Sequence, residues 1–370
     1  MLENLHLRFF RNYESLDWQL GNGFTVLSGP NGAGKSNLLE GIFYLGAGYP
    51  YRQAQDEALV HWGADFFVIR GSVLQNGLKY DLEIAYQLGT KRKITKINGK
   101  RDLPGACTAC LPVVIFSPAD LLLIQGAPSL RRRFLDLVVT QSRPQHAADL
   151  HDYSNILTQR NNLLRQGVFQ RAEILSWDEQ LVAVGARIIS RRLSVFKTLM
   201  DLSRVVFASL SRNGELDGAY ISQMIPQYSL EEDEDFCRQA FKDALERRRS
   251  LDERLHITTT GPHRDDLRFF LQGHEAQLYC SQGEQRLIAL SLKIAQNRLL
   301  SSVQSSDALL LLDDVFSELD TVHREKVLKE LSRSRQVIAT TTSFLEEGDS
   351  ATGQLTPEIT LYQAKGAEWL

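Results

Sequence analysis

Apolar and polar positions change rhythm twice along the 370 residues. Near the N-terminus they alternate at Leu5-His6-Leu7-Arg8-Phe9, then close up into Phe24-Thr25-Val26-Leu27, and both runs predict short strands. Period-two alternation recurs over Phe66–Leu74, Lys79–Tyr86 and Lys93–Ile97. With the hairpin turn Asn98-Gly99, this predicts an antiparallel meander. Val113-Val114-Ile115-Phe116 is apolar throughout, the pattern of a strand buried on both faces of a parallel sheet. From Ser129 to about Arg249 the period lengthens. Leu130, Phe134, Leu137 and Val138, and again Leu181, Val184 and Ile188, recur at helical spacing between Arg- and Gln-rich faces. Helix ends are predicted at Arg143-Pro144 and Gln166-Gly167, and Glu231–Asp235 reads as a solvated loop or a helix start. Strands return after about Leu255, at Ala308–Leu312, Gln336–Thr340 and Ile359–Gln363. The whole predicts an α/β domain in two parts, 1–128 and 251–370, split by a helical insertion over 129–250.

Composition narrows the class without naming it. Apolar and charged fractions of 43% and 24% are those of a globular protein, and a net charge of −3 neither demands nor excludes nucleic acid. No apolar run approaches the ~18 residues of a membrane span, so no membrane partner is expected. Met1-Leu2-Glu3-Asn4 lacks the basic and apolar regions of a secretory leader. Four cysteines suit a reducing compartment, and the expected location is the cytoplasm. Cys107-x-x-Cys110 has no second close pair to complete a zinc site.

The chemistry is concentrated in three places. Gly29-Pro30-Asn31-Gly32-Ala33-Gly34-Lys35-Ser36 fits G-x-x-x-x-G-K-[ST], after a β-branched run and before the helix-prone Asn37-Leu38-Leu39-Glu40. Its glycines let successive N–H groups turn towards phosphate oxygens, and the helix start adds its positive dipole end. Lys35 is placed to reach the β- and γ-phosphates, Ser36 to ligate Mg²⁺. Ala308–Leu312 then ends in Asp313-Asp314, an apolar strand delivering carboxylates where α/β sheets bind ligands. Asp313 is the candidate Mg²⁺ ligand and Asp314 the candidate base. Ser281-Gln282-Gly283-Glu284 opens an amphipathic helix roughly 30 residues earlier, in the order and spacing of an ABC-type signature. Ser317-Glu318-Leu319-Asp320 follows the carboxylates like a D-loop, and Thr340-Thr341-Thr342 stands at the switch position, with Thr341 the candidate there. The bland alternative is that Ser281 only caps a helix.

These motifs are accompanied by Phe10-Arg11-Asn12-Tyr13, Phe116–Leu121, Arg132-Arg133-Phe134-Leu135-Asp136, Gln159-Arg160-Asn161, Trp177-Asp178 and Gly261-Pro262-His263-Arg264-Asp265-Asp266. Together they resemble the RecF family, short relatives of Rad50 and SMC proteins, from one end of the chain to the other. The resemblance implies an α/β fold: an ABC-type, Rad50/SMC-like P-loop ATPase head with an antiparallel β subdomain and an inserted α-helical domain. It implies ATP and Mg²⁺ as cofactors, and an ATP-dependent homodimer in which one protomer's signature covers the γ-phosphate on the other's P-loop. It places Arg11 and Asn12 near the nucleotide. It further implies weak, DNA-stimulated ATP hydrolysis and binding to single-stranded or gapped DNA and single-strand/duplex junctions. RecR and RecO are the implied partners in loading recombinase, with roles in the SOS response and replication restart. Two departures stand out: Pro50-Tyr51-Arg52 where the family tends to have Ser-x-Arg, and Glu284 where it usually has Gln. Asp rather than Glu at position 314 shortens the base by one methylene, so slow hydrolysis is expected, with a non-catalytic, purely nucleotide-sensing scaffold as the alternative.

Between Ser129 and Ala208 twelve Arg/Lys stand against seven acids. That local excess either meets DNA phosphates or lines solvated and internally paired helix faces. Three other nucleotide-dependent classes fit less well. A transport ATPase places its signature much closer to the P-loop than the 246 residues separating Lys35 and Ser281. A small-molecule kinase has no need of the signature or D-loop. An ATPase-nuclease of the OLD type needs a further acidic metal cluster after the D-loop, where about 50 residues remain.

Overall fold

The computed structural model describes all residues except 53–54, 104, 168–170, 212–213, 226–232, 305–306, 317–318, 333, 343–358, 366–367 and 370. The chain forms two compact units: Met1–Asp120 with Ser209–Arg212 and Leu290–Leu370, and Leu121–Ala208 with Asn213–Ala289.

The first unit begins with strands β1 (Leu2–Phe10), β2 (Tyr13–Gln19) and β3 (Gly23–Ser28), then helix α1 (Lys35–Ala47). Strands β4 (Phe66–Gln75), β5 (Leu78–Gln87), β6 (Arg92–Ile97), β7 (Lys100–Asp102) and β8 (Val113–Phe116) follow. The predicted meander is part of a six-stranded antiparallel sheet ordered β2-β1-β4-β5-β6-β7. Helix α1 is apolar on nearly every side and buries Leu38, Leu39, Ile42, Tyr44 and Leu45 completely, together with residues of both sheets. Packing is close at Gly46, where a Cβ would lie 2.6 Å from the Leu111 carbonyl oxygen. Cys107 and Cys110 belong to this core, and burial pushes the Cys107 thiol up to about 12.

In the second unit, α2 (Leu122–Gln125), α3 (Pro128–Ser142), α4 (Gln145–Gln166) and α5 (Arg171–Leu210, its last two residues in the first unit) run in sequence. Helix α3 stops before Arg143-Pro144, and α4 ends at Gly167 with φ 72°, a left-handed cap that glycine adopts without penalty. Then come β9 (Leu216–Ile221), α6 (Glu234–Leu255), β10 (Asp266–Leu271), β11 (His274–Glu275) and α7 (Ala276–Tyr279). Asp233 is the N-cap residue of α6, so the described part of the acidic stretch is a helix start. Strand β9 lies inside the stretch that periodicity reads as helical. Its six residues pair antiparallel with β10, Leu267 opposite Tyr220, so a partner nearly fifty residues away decides their conformation. For the same reason this unit reaches past 250 to Ala289.

Helix α8 (Gln282–Gln304) leads back into the first unit, followed by β12 (Leu309–Leu312), α9 (Thr321–Leu331), β13 (Gln336–Thr341), β14 (Ile359–Lys365) and β15 (Glu368–Trp369). The second sheet of the first unit is ordered β15-β14-β3-β13-β12-β8, parallel except for β15. Its register sets Thr341 against Ser28, and Leu312 against Ala339 and Phe116. The C-terminal ends of β3, β12 and β13 therefore share one edge, where open α/β sheets hold ligands. Among the described residues no helix is long and apolar enough to cross a membrane.

Candidate nucleotide site

The loop between β3 and α1 ends at Gly34, whose φ of 94° suits only a residue without a Cβ. A Cβ there would also lie 2.5 Å from Asn12 Nδ2 and 2.7 Å from the Tyr13 hydroxyl. Gly32 takes φ 85° at the exposed loop apex beside Pro30 and Asn31, with Ala33 half-buried behind it. Lys35, only 7% exposed, folds its ammonium back into the loop and donates to Gly29 O at 2.6 Å and Pro30 O at 2.9 Å. Burial lowers its pKa, and Asp314 and Asp313 pull in the opposite direction.

The parallel sheet delivers the carboxylate to the loop. Ser36 Oγ donates to Asp313 Oδ1 at 2.7 Å, across 277 residues of sequence. Thr340 Oγ1 donates to the same oxygen at 3.0 Å and accepts from the Asp314 N–H at 2.9 Å. Asp313 N donates to Phe116 O at 2.8 Å, and the residue is buried. Asp314 takes φ 52°, a left-handed conformation that Asp tolerates better than most residues. An oxygen pair of hydroxyl and carboxylate at the foot of an N–H-lined loop fits Mg²⁺ held with a nucleotide's phosphates, since Mg²⁺ takes few protein oxygens. Lys35 and the loop fit the triphosphate itself.

The expected neighbours are beside the loop. Asn12 Oδ1 accepts from Asn37 Nδ2 at 2.8 Å, and Tyr13 donates to Gly34 O at 3.1 Å. Arg11 makes a two-pronged bond to the buried Glu40 at 2.8 and 3.2 Å and donates to Ala58 O. Tyr51 and Arg52, outside every sequence motif of the site, also reach it. Tyr51 donates to Asp313 Oδ2 at 3.2 Å, Arg52 Nη2 lies 3.6 Å from that oxygen, and Arg52 Nε donates to Tyr51 Oη at 2.8 Å. The one clue in the sequence was the Pro-Tyr-Arg departure. Within the Thr340-Thr341-Thr342 segment it is Thr340, one step along β13 from Thr341, that bonds Asp313.

The signature turn lies in the second unit. Ser281 N and Oγ both donate to Glu284 Oε2 at 2.9 Å, and Glu284 N donates back to Ser281 Oγ at 3.3 Å. This is a reciprocal capping box, a role that Glu284 fills as Gln also could. Ser281, Gln282 and Gly283 remain exposed. Asp320 caps α9, accepting from His323 N at 2.8 Å, while Ser317 and Glu318 lie outside the described residues.

The arginines of the helical unit are mostly engaged. Arg160, wholly buried, donates to Asp178, Asp252 and Thr258 at 2.7, 2.8 and 2.8 Å. Arg131 is bidentate on Asp266, Arg192 on Asp136, and Arg187 and Arg191 share Asp149. Much of the local basic excess is therefore internal architecture. The segments Gln159-Arg160-Asn161 and Trp177-Asp178 serve it, with Asn161 Oδ1 accepting from both N and Oγ1 of Thr258.

The RecF/RecN/SMC N terminal domain model matches residues 1–356. A DNA replication and repair protein RecF from Heliobacterium modesticaldum is 37% identical over 351 residues, 92% of either chain. Its counterpart from Moorella thermoacetica is 38% identical over 344 residues, 92% of this chain and 90% of its own. Among solved structures, the recombination mediator protein RecF-ATP of the RecFOR pathway superposes with a TM-score of 0.89 at 28% identity, covering 100% of this chain and 97% of that one. An SMC head bound to the C-winged helix domain of ScpA shares the fold, with a TM-score of 0.56 at 15% identity.

Proposed function

The chain belongs to the RecF family of ABC-type, SMC-like heads, and on that premise we propose that it is an ATP-gated DNA clamp for recombinational repair of gapped DNA. The observation that carries this reading is the 2.7 Å bond between Ser36 and Asp313, which joins the P-loop to the acidic strand. Bound Mg²⁺-ATP supplies the scissile phosphoanhydride. Lys35 leaves its loop carbonyls for the phosphates, Ser36 and Asp313 hold the metal side, and Asp314 orients the attacking water. Two copies join as an ATP-dependent homodimer. Each brings the exposed Ser281-Gln282-Gly283 turn with Glu284, and Asp320, to the other's P-loop, with Thr341 near the switch. The dimer takes single-stranded or gapped DNA and single-strand/duplex junctions, works with RecR and RecO to load recombinase, and supports replication restart and SOS induction. Hydrolysis is slow, DNA-stimulated, and releases the clamp.

The test is phosphate release per protomer over a dilution series. A shared site requires the specific rate to rise with protein concentration and to rise further with gapped DNA. A rate per protomer independent of dilution overturns the shared-site mechanism.

A further inference from the structure

Two segments that carry the family resemblance, Arg132–Asp136 and Gly261–His263, have no part in the nucleotide site. They meet within the helical unit, where they line a cleft of about 420 Å³. Its floor is apolar: Leu137 of α3, Leu150 of α4, Ile188 of α5, and Pro262. Most of its polar groups are already satisfied. The Tyr153 hydroxyl and His263 Nδ1 share a hydrogen bond at 2.8 Å. Arg192 holds Asp136 at 2.7 and 2.8 Å and donates to Pro262 O. Arg132 and Arg133 differ. Half-buried Arg132 donates only to a neutral group, Asp265 O, at 2.6 Å, and exposed Arg133 has no partner among the described residues. Burial and the charge of Arg192 weigh against the Arg132 cation and outweigh the pull of Asp266, Asp265 and Asp136, none of whose carboxylates bonds its guanidinium, so an anion in the cleft would favour it further.

We propose that this cleft docks a short acidic segment of a partner protein, with an apolar side chain on the half-buried Leu137 and Leu150 and a neighbouring carboxylate on Arg132 and Arg133. Guanidinium groups bind carboxylates through paired N–H bonds, and two of them at one rim suit one or two acidic side chains. The volume falls within the 300–1,000 Å³ or so of a ligand cleft. A nucleic-acid strand fits less well. Backbone tracking needs a run of cations, and the neighbours Arg131, Arg187, Arg191 and Arg192 already hold carboxylates. A base on the apolar floor would also lose hydrogen-bond partners for its edges.

The test is selection of random dodecapeptides displayed on phage against the immobilised full-length protein, run in parallel on Arg133→Glu. One enriched peptide is then labelled for anisotropy titration. Enriched sequences are expected to combine Asp or Glu with Leu or Phe, and Arg133→Glu should weaken the labelled peptide at least about tenfold. Arg133→Lys, which keeps the charge but not the fork, should fall between. Arg133 is exposed, so the thermal midpoint and Mg-ATP binding should stay unchanged and exclude a folding defect. No enrichment, equal affinity on Arg133→Glu, or enriched peptides without acidic residues each overturn the proposal. So does displacement of the peptide by oligo(dT) with equal sensitivity to Arg133→Glu, which would make the cleft a nucleic-acid site.

Discussion

In the first unit, Asp313 receives hydroxyls from Ser36, Thr340 and Tyr51 at the edge of a parallel sheet. In the second, Asp136, Asp178 and Asp252 are locked to arginines inside a helical bundle. Both arrangements bury carboxylates, but they differ in what could replace the partner. Around Asp313 the hydroxyls are joined only by half-exposed Arg52, 3.6 Å away, and no guanidinium among the described residues bonds the carboxylate directly, which suits a divalent cation. Guanidinium partners cancel the charge outright and fix helices against one another. Position at a sheet edge and the chemistry of the partner, rather than acidity itself, distinguish a working carboxylate from a structural one.

Four substitutions sharpen that contrast, in descending order of effect. Asp313→Asn should reduce Mg²⁺-dependent phosphate release at least about 100-fold with little change in the urea midpoint, because the lost group faces the metal side of the site. Arg160→Met should do the reverse, costing about 3–5 kcal/mol in urea unfolding because Asp178 and Asp252 stay buried without their cation. A cost under about 1 kcal/mol would show that the buried network contributes little.

The third concerns pH. Burial raises the Asp265 carboxyl to about 6, against the bonds from Tyr220 and the Arg192 charge, and burial lowers His263 to about 4. On acidification from pH 6.5 to 4, the folded state loses stability through His263, which resists protonation. It gains stability through Asp265, which protonates more readily than in the unfolded chain. The two offset each other in the wild type. Asp265→Asn removes only the gain, so its stability should fall more steeply over that window, by about 1–3 kcal/mol. Parallel pH profiles for variant and wild type would contradict this. Smallest is Arg204→Ala: its pairs with Asp201 and Asp217 are exposed, and loss should cost less than about 1 kcal/mol.

The nucleotide site was legible because its chemistry is local. Gly34 must adopt a left-handed φ, Lys35 and Ser36 follow it in sequence, and the apolar run before Asp313 identifies a buried strand. Tyr51 and Arg52 were harder to find, since they reach Asp313 only once the segment after α1 is in place, and the switch segment did not show that Thr340 rather than Thr341 bonds Asp313. The same distance problem concealed β9, which resembles a helix fragment until β10 pairs with it. It also made the arginine excess look like a surface: Arg160 meets Asp252 across 92 residues and Arg131 meets Asp266 across 135, and no local pattern reports such pairs.

The most direct test of the account is fluorescence anisotropy of a labelled gapped duplex titrated with the protein, once with Mg-ATP and once with Mg-ADP. Gating through Lys35, Ser36 and Asp313 predicts clear binding with ATP, little with ADP, and loss of the difference in Asp313→Asn. Equal binding with both nucleotides would contradict it, leaving a DNA-binding protein whose nucleotide controls something else.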